Sequence, residues 1–242
     1  MRVRIAGVLI GCLTFMACSP PAEAPKEAPK DLIIKRKVTT SGGGPSADST
    51  CYWGERLRVT DDAKRRVSFD LDTKIVTVLD KKSNAYFTLT FDQVLQQRQA
   101  QEQRFERLPL EERKKVGLDK PIELIPSGKT ETIAGRRSKE YTFGAAQLSG
   151  SVWIAEELQP PSTWAEWNNV IANVESSGYA GRQLAESIGR LKGYPMRSTL
   201  SVTMGAQQTA FTVEVTEASH GVIPPEVATL PAGAIKAEAP IK

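Results

Sequence analysis

His220 is the only histidine in the chain, so a catalytic or metal-binding imidazole has a single place to sit. It is accompanied by no Gly-x-Ser-x-Gly elbow and no cysteine cluster, and one imidazole alone makes neither a triad nor a zinc site. Its segment reads as surface loop. Ser127-Gly128-Lys129-Thr130 has the ending of a phosphate-binding loop, but that loop needs a glycine five residues before Gly128 to fold the backbone around phosphate, and Glu123 stands there. A hairpin turn is expected instead. Asp70-Leu71-Asp72-Thr73-Lys74 begins like a calcium loop, yet Lys74 and Lys81 occupy the fifth and twelfth positions, where oxygen ligands belong. That stretch too reads as a turn. Asp and Glu are abundant, and no spacing singles out a pair for acid–base work. No catalytic residue, metal ligand or cofactor site is assigned, and the chain is read as a non-enzyme.

Cysteine offers a different chemistry. Residues 1–17 run from Arg2 and Arg4 through an apolar stretch, Ile5 to Phe15, to Ala17 and then Cys18. Charge, apolar run and small residue follow in the order of an export signal. A bilayer span takes about 20 apolar residues; this run is shorter, and Gly7, Gly11 and Thr14 dilute it. Two cleavage readings follow. Ala22-Glu23-Ala24 could serve an ordinary signal peptidase, but it lies far past the apolar run and leaves Pro25 directly after the cut. Phe15-Met16-Ala17-Cys18 resembles the bacterial lipoprotein signal, departing from it by Phe where Leu is commonest and by a bulky Met before Ala. Cutting there leaves Cys18 as the first mature residue and the site of lipid attachment. Two or three acyl chains, at about 0.8 kcal/mol per buried methylene, hold a protein far more firmly than one. Cys12 then departs with the signal and leaves Cys51, whose pairing with Cys18 in an oxidising envelope is the alternative.

Ser19 to Lys30, SPPAEAPKEAPK, is rich in Pro, Ala and charge and reads as an extended tether. Ser19 after the cysteine, in place of Asp, resembles the pattern that sends lipoproteins to the outer membrane. The expected address is the bacterial cell envelope, lipid-anchored at the outer membrane and facing the periplasm. With 32 Lys and Arg against 28 Asp and Glu, the chain lacks the dense basic face that binding nucleic acid demands.

The strongest binding candidate is a stripe of side chains. Thr163-Trp164-Ala165-Glu166 fits a capping box after Pro160 and Pro161, so a helix is expected to start there. Trp164, Trp167, Ile171 and Val174 recur at spacings of three and four and share one helix face. A second stripe, Leu184, Ile188 and Leu191, ends at Gly193. The first stripe has two readings: it fills and seals a core, or its indoles line a cavity at the boundary between an apolar ligand and water.

The elements that would position this stripe are mostly strands. DLIIKRKVTT, STCYWGERLRVT, RRVSFDL, KIVTVLD and AYFTLTF are short β runs, and Val67, Phe69 and Leu71 alternate with polar residues. Short turns between them predict an antiparallel meander. Phe91 to Val116 breaks the pattern with helix formers, divided by Pro109 and carrying a thin apolar stripe. Strands resume at KTETIAG, SKEYTFG and LSGSVWIAEE, and the last two, PMRSTLSVTM and TAFTVEVTEA, flank a turn at Gly205. The fold class is α+β: about ten or eleven antiparallel strands in a curved sheet, with the late helices covering its concave face. The domains expected are a signal peptide at 1–17, acylated Cys and tether at 18–30, the folded domain at 31–236, and a disordered tail at 237–242.

SGKTETIAGRRSKEYTF…SVWIAEEL and YPMRSTLSV…TAFTVEVTEASHGVIPPEVATLPAG resemble an uncharacterised family of bacterial exported proteins related to the LolA/LolB-like half-barrels. The resemblance runs from Asp31 to Ala234 and rests on a Gly-Lys-x-x-x-Ile-x-Gly hairpin, a Val-Trp-Ile-Ala strand and an Ile-Pro-Pro…Leu-Pro-Ala-Gly ending. It implies an eleven-stranded half-barrel around helices and an apolar cavity that receives acyl chains. An anchored chain departs from a freely diffusing carrier. The leading expectation is a lipid-anchored lipoprotein that binds a hydrophobic ligand, a lipid or acyl chain, or a lipoprotein partner, without catalysis. The alternative is a protein-interaction or stress-sensing module with a solid core.

Overall fold

The computed structural model describes residues 31–41, 46–115, 121–145, 148–175, 178–204 and 207–239. The signal, Cys18, the tether and the turn at Gly205 lie outside them. Six strands open the domain: β1 (Asp31–Thr40), β2 (Ala47–Trp53), β3 (Leu57–Asp62), β4 (Arg65–Asp70), β5 (Ile75–Asp80) and β6 (Ala85–Thr90). Each pairs antiparallel with the next. Three of the turns repeat one device, in which an aspartate at the end of a strand accepts two backbone N–H groups ahead of it. Asp62 takes Lys64 and Arg65, Asp70 takes Asp72 and Thr73, and Asp80 takes Lys82 and Ser83. A short carboxylate that satisfies the turn's own backbone explains why DLDTK folds as a hairpin connection.

Helix α1 (Phe91–Glu106) follows β6 directly, and α2 (Leu110–Lys115) begins beyond Pro109. The start of α1 is a true capping box: the Thr90 N–H donates to Gln93 Oε1 at 2.8 Å, and the Gln93 N–H donates to Thr90 Oγ1 at 3.1 Å. The chain then forms β7 (Ile125–Ile133), β8 (Arg136–Ala145) and β9 (Leu148–Ala155). Helix α3 (Trp164–Val170) runs into a π-helical turn, Ile171–Glu175, and α4 (Gly178–Gly189) follows. Strands β10 (Tyr194–Met204) and β11 (Gln207–Gly221), the short helix α5 (Pro225–Ala228) and β12 (Ile235–Lys236) complete the described chain.

All the strands join one open sheet of 12, in the order β12-β6-β5-β4-β3-β2-β1-β11-β10-β9-β8-β7. The central pair is the most distant in sequence: β1 meets β11 from Asp31↔Gly221 to Thr40↔Phe211, with a bulge between Lys35 and Arg36. That pair fuses two meanders into a single surface. Every pairing is antiparallel except β12 with β6. This last strand exceeds the ten or eleven expected, because two residues within the Leu-Pro-Ala-Gly-Ala-Ile-Lys ending add to the β6 edge. Ala237, placed by sequence in the tail, donates its N–H to Tyr86 O at 2.7 Å, and the described residues continue to Ala239.

The register sets the core. Leu32 lies opposite Trp53 and Ile34 opposite Cys51, and the same face continues through Arg58, Phe69 and Val76. All are buried and all but Arg58 belong to one cluster that also takes Phe91, Trp167, Val170, Val174, Tyr194 and Met196. A second cluster joins Ile122, Phe143 and Leu148 to Ala180 and Leu184 of α4. His220, expected on a loop, is an exposed residue of β11 opposite Leu32.

Candidate functional site

Helix α3 is positioned by a residue distant in sequence. The Thr163/Glu166 capping box expected from the sequence does not form, and Thr163 makes no side-chain cap to the helix. Its hydroxyl donates instead to Glu55 O at 2.6 Å, while the Glu55 carboxylate accepts from Ser162 N, Ser162 Oγ and Thr163 N. The Ser162 hydroxyl is the main reason Glu55 ionises below the ordinary carboxylate range. Glu166, freed from capping, pairs with Arg56 at 3.2 Å, and Arg56 also holds Asp72. The β2–β3 turn thus grips the N-terminus of α3 from outside.

This grip lowers two indoles onto β2. The Trp164 ring meets Trp53 at 4.9 Å between centroids, with planes at 64°, and Trp167 meets Trp53 at 6.2 Å and 79°. Tyr194 of β10 closes the group, 6.2 Å from Trp53 and 5.6 Å from Trp164. Edge-to-face contacts of this kind set positive ring edges against negative faces. The polar atoms are used internally: the Trp53 indole N–H donates to Tyr194 Oη at 3.2 Å, and the Trp167 indole N–H to Gly54 O at 2.9 Å. Burial pushes the Tyr194 phenol well above its ordinary pKa. Arg58, only 1% exposed, lays its guanidinium 4.2 Å over Trp53 and 5.2 Å over Phe69 and donates to Thr60 Oγ1 at 3.3 Å. A delocalised, weakly hydrated cation suits such a slot better than an ammonium would.

Trp164, Trp167, Ile171 and Val174 all come to the main cluster, in unequal ways. Trp167 has no exposed surface and Val174 is buried, whereas Trp164 and Ile171 pack against the cluster half-buried. The π turn shifts the helical phase after Val170, so that Ala172 is buried as well. Trp53, Arg58, Phe69 and Tyr194 complete the group and are absent from the sequence-derived set. Trp53 had a signal, since it alternates with Cys51 in a strand. Arg58 had none, because a charged residue in a strand reads as solvent-facing.

Among the described residues, cavities lie elsewhere on the molecule. One of about 810 Å³ sits between β6, α1 and the chain after β12, and one of about 580 Å³ lies among Lys35, Asp48, Asp61 and Lys81. The third, about 270 Å³, lies between β4–β6 and the segment around α5. None of these three is lined by Trp164, Trp167, Ile171 or Val174. Cys51, wholly buried and 3.6 Å from Thr60 Oγ1, forms no disulfide among the described residues; a bridge to Cys18 would have to reach a side chain with no exposed surface. Among the described residues, no three His, Cys, Asp or Glu side chains converge to hold a metal ion, and no helix is long and apolar enough to cross a membrane. Gly128, in the phosphate-loop look-alike, adopts a positive φ at the register break of β7, where Ser127 Oγ donates to Glu140.

No family model matches the chain, and no curated protein matches it either. Solved structures give distant likenesses. An uncharacterised conserved protein from Thermus thermophilus is 7% identical with a TM-score of 0.46, over 86% of this chain and 90% of that one. PNGF-II is 10% identical with a TM-score of 0.39, over 86% of this chain, which spans about a third (31%) of the PNGF-II chain. MucB in complex with MucA(peri) is 12% identical with a TM-score of 0.38, over 84% of this chain and 54% of that one.

Proposed function

We propose that this chain is an envelope-anchored binding module that acts without chemical turnover. Cys18 carries the acyl anchor at the outer membrane, and residues 19–30 hold the domain off the bilayer. The sheet curls as a half-barrel of the LolA/LolB-like kind, with α3 and α4 on its concave face. The anchor rests on the Phe-Met-Ala-Cys signal, and the half-barrel on the sequence resemblance together with the open antiparallel sheet.

Two occupants fit that frame: a hydrophobic ligand among Trp164, Trp167, Ile171 and Val174, or a protein partner met by a solid domain. One observation favours the protein partner. The two tryptophans pack edge-to-face on Trp53, and Trp167 spends its indole N–H on Gly54. An acyl chain entering there would break those contacts and leave Gly54 O without its donor, a cost of about 1–3 kcal/mol for an unsatisfied buried group. Native mass spectrometry of the full chain, extracted from membranes in mild detergent, separates the readings. The expected species is the acylated chain with no further lipid in the domain. A stoichiometric lipid that is lost in Trp167→Ala would establish the hydrophobic-ligand reading in its place.

A further inference from the structure

The face of β4–β6 that points away from the aromatic cluster carries a row of hydroxyls. Ser68 stands opposite Thr77, and Thr77 opposite Thr88, so three strands contribute one hydroxyl each at a single level. These three side chains have no hydrogen-bond partner among the described residues, and all three line the cavity of about 270 Å³. Its roof is the segment from Val227 to Leu230, with Ile75 and Leu79 beside the hydroxyl row.

Arg66 and Asp70 mark the two ends of the cavity, and both are committed to the protein. Arg66 pairs with Asp61 and donates to the Glu226 and Thr229 carbonyls at 2.7 and 3.2 Å, pinning the roof to the sheet. Asp70 Oδ1 holds the β4–β5 turn. Farther along, the Ile235 and Ala237 N–H groups bond to Asn84 and Tyr86 of the β6 edge. What remains to meet a ligand is a floor of groups that both donate and accept hydrogen bonds, with Thr73 and the second Asp70 oxygen at one end, and a roof in which Val227, Ala228 and Leu230 present aliphatic carbon.

We infer that this cavity binds a small uncharged polyol, between glycerol and a single hexose in size. Such a molecule has hydroxyl edges for Ser68, Thr77 and Thr88 and a C–H face for Val227 and Leu230. An anion would find Arg66, the one cation among the described residues that line the cavity, already paired, and a purely apolar molecule would leave three hydroxyls dry. The volume lies just under the range of about 300–1,000 Å³ typical of drug-sized ligands, which excludes longer oligosaccharides.

Saturation-transfer NMR on the full chain in micelles, with glycerol, myo-inositol and glucose as separate probes, tests the assignment. At least one probe should receive saturation, and Thr77→Val, which keeps the shape and deletes the hydroxyl, should weaken it about 5- to 10-fold. Ser68→Ala provides the same reading should the valine variant fail to fold. No transfer to any of the three probes, or equal transfer in the folded variants, would overturn the site.

Discussion

Trp167 stabilises the domain in two ways that substitution can separate. Trp167→Ala empties a fully buried ring site and should cost about 4 kcal/mol in denaturant unfolding. Trp167→Phe keeps most of the apolar contact but orphans Gly54 O, and should cost about 1–2 kcal/mol. No loss in Trp167→Phe would mean that the indole N–H contributes nothing, and a loss equal to that of Trp167→Ala would mean that the ring contact contributes nothing beyond it. Cys51 offers a second check on the same packing. With no exposed surface, its thiol should resist a maleimide in the folded chain and react fully in denaturant; rapid labelling without denaturant would show that the β2 face opens. Arg58 marks the limit of sequence reading at this scale. The aromatic partners that hold its guanidinium, Trp53 and Phe69, sit on strands to either side, and the pairing exists only once the register is set.

The β2–β3 turn and the start of α3 act as one element, although Glu55 and Ser162 are 107 residues apart. Glu55→Gln should lose about 1 kcal/mol, the usual scale for a helix cap. It should also change the response to acid. The folded-state pKa of Glu55 lies below its unfolded value, so its stabilisation is present above the unfolded pKa and disappears as pH falls through the folded one. Asp80 and Glu131 shift in the same direction, Asp80 chiefly through the Ser83 backbone N–H and Glu131 chiefly through Arg197. The midpoint of thermal unfolding should therefore fall below about pH 4.5, and less steeply in Glu55→Gln than in the native chain. Parallel slopes would remove Glu55 from the linkage.

The meander β1–β6 was legible because its determinants are local: alternating Val67 and Phe69, and turn aspartates a few residues from the backbone N–H groups that donate to them. Pro109 likewise divides two helices where its missing N–H requires. The expected cap of α3 does not form because the Thr163 hydroxyl donates to Glu55 O instead of accepting from a first-turn N–H of its own helix. Gly193 shows the same limit from the other side. The end of the second stripe drew attention to it, but its φ of +105° serves a close approach to Ala155 and Glu156 at the entry to β10, which spacing does not reveal. Of the candidate stripe, the sequence located four members of the cluster; the strand residues facing them depended on which strands became neighbours.

At the scale of the whole molecule, the pairing of β1 with β11 fixes the architecture, since it places the first described strand in the middle of the sheet and both meanders around it. Asp31 begins that central strand. In the proposed protein the tether of residues 19–30 links it to the acylated Cys18 and holds the domain off the bilayer. The apolar stretch before Cys18 is too short to anchor the chain as a span, and among the described residues no helix is long and apolar enough to cross a membrane. The proposed function therefore depends on the covalent state of one cysteine. Tandem mass spectrometry of the amino-terminal peptide from membrane-extracted chain measures it directly. The predicted result is a first residue Cys18 bearing a thioether-linked diacylglyceryl group, while a peptide that starts at Pro25, or a free Cys18 thiol, would contradict it.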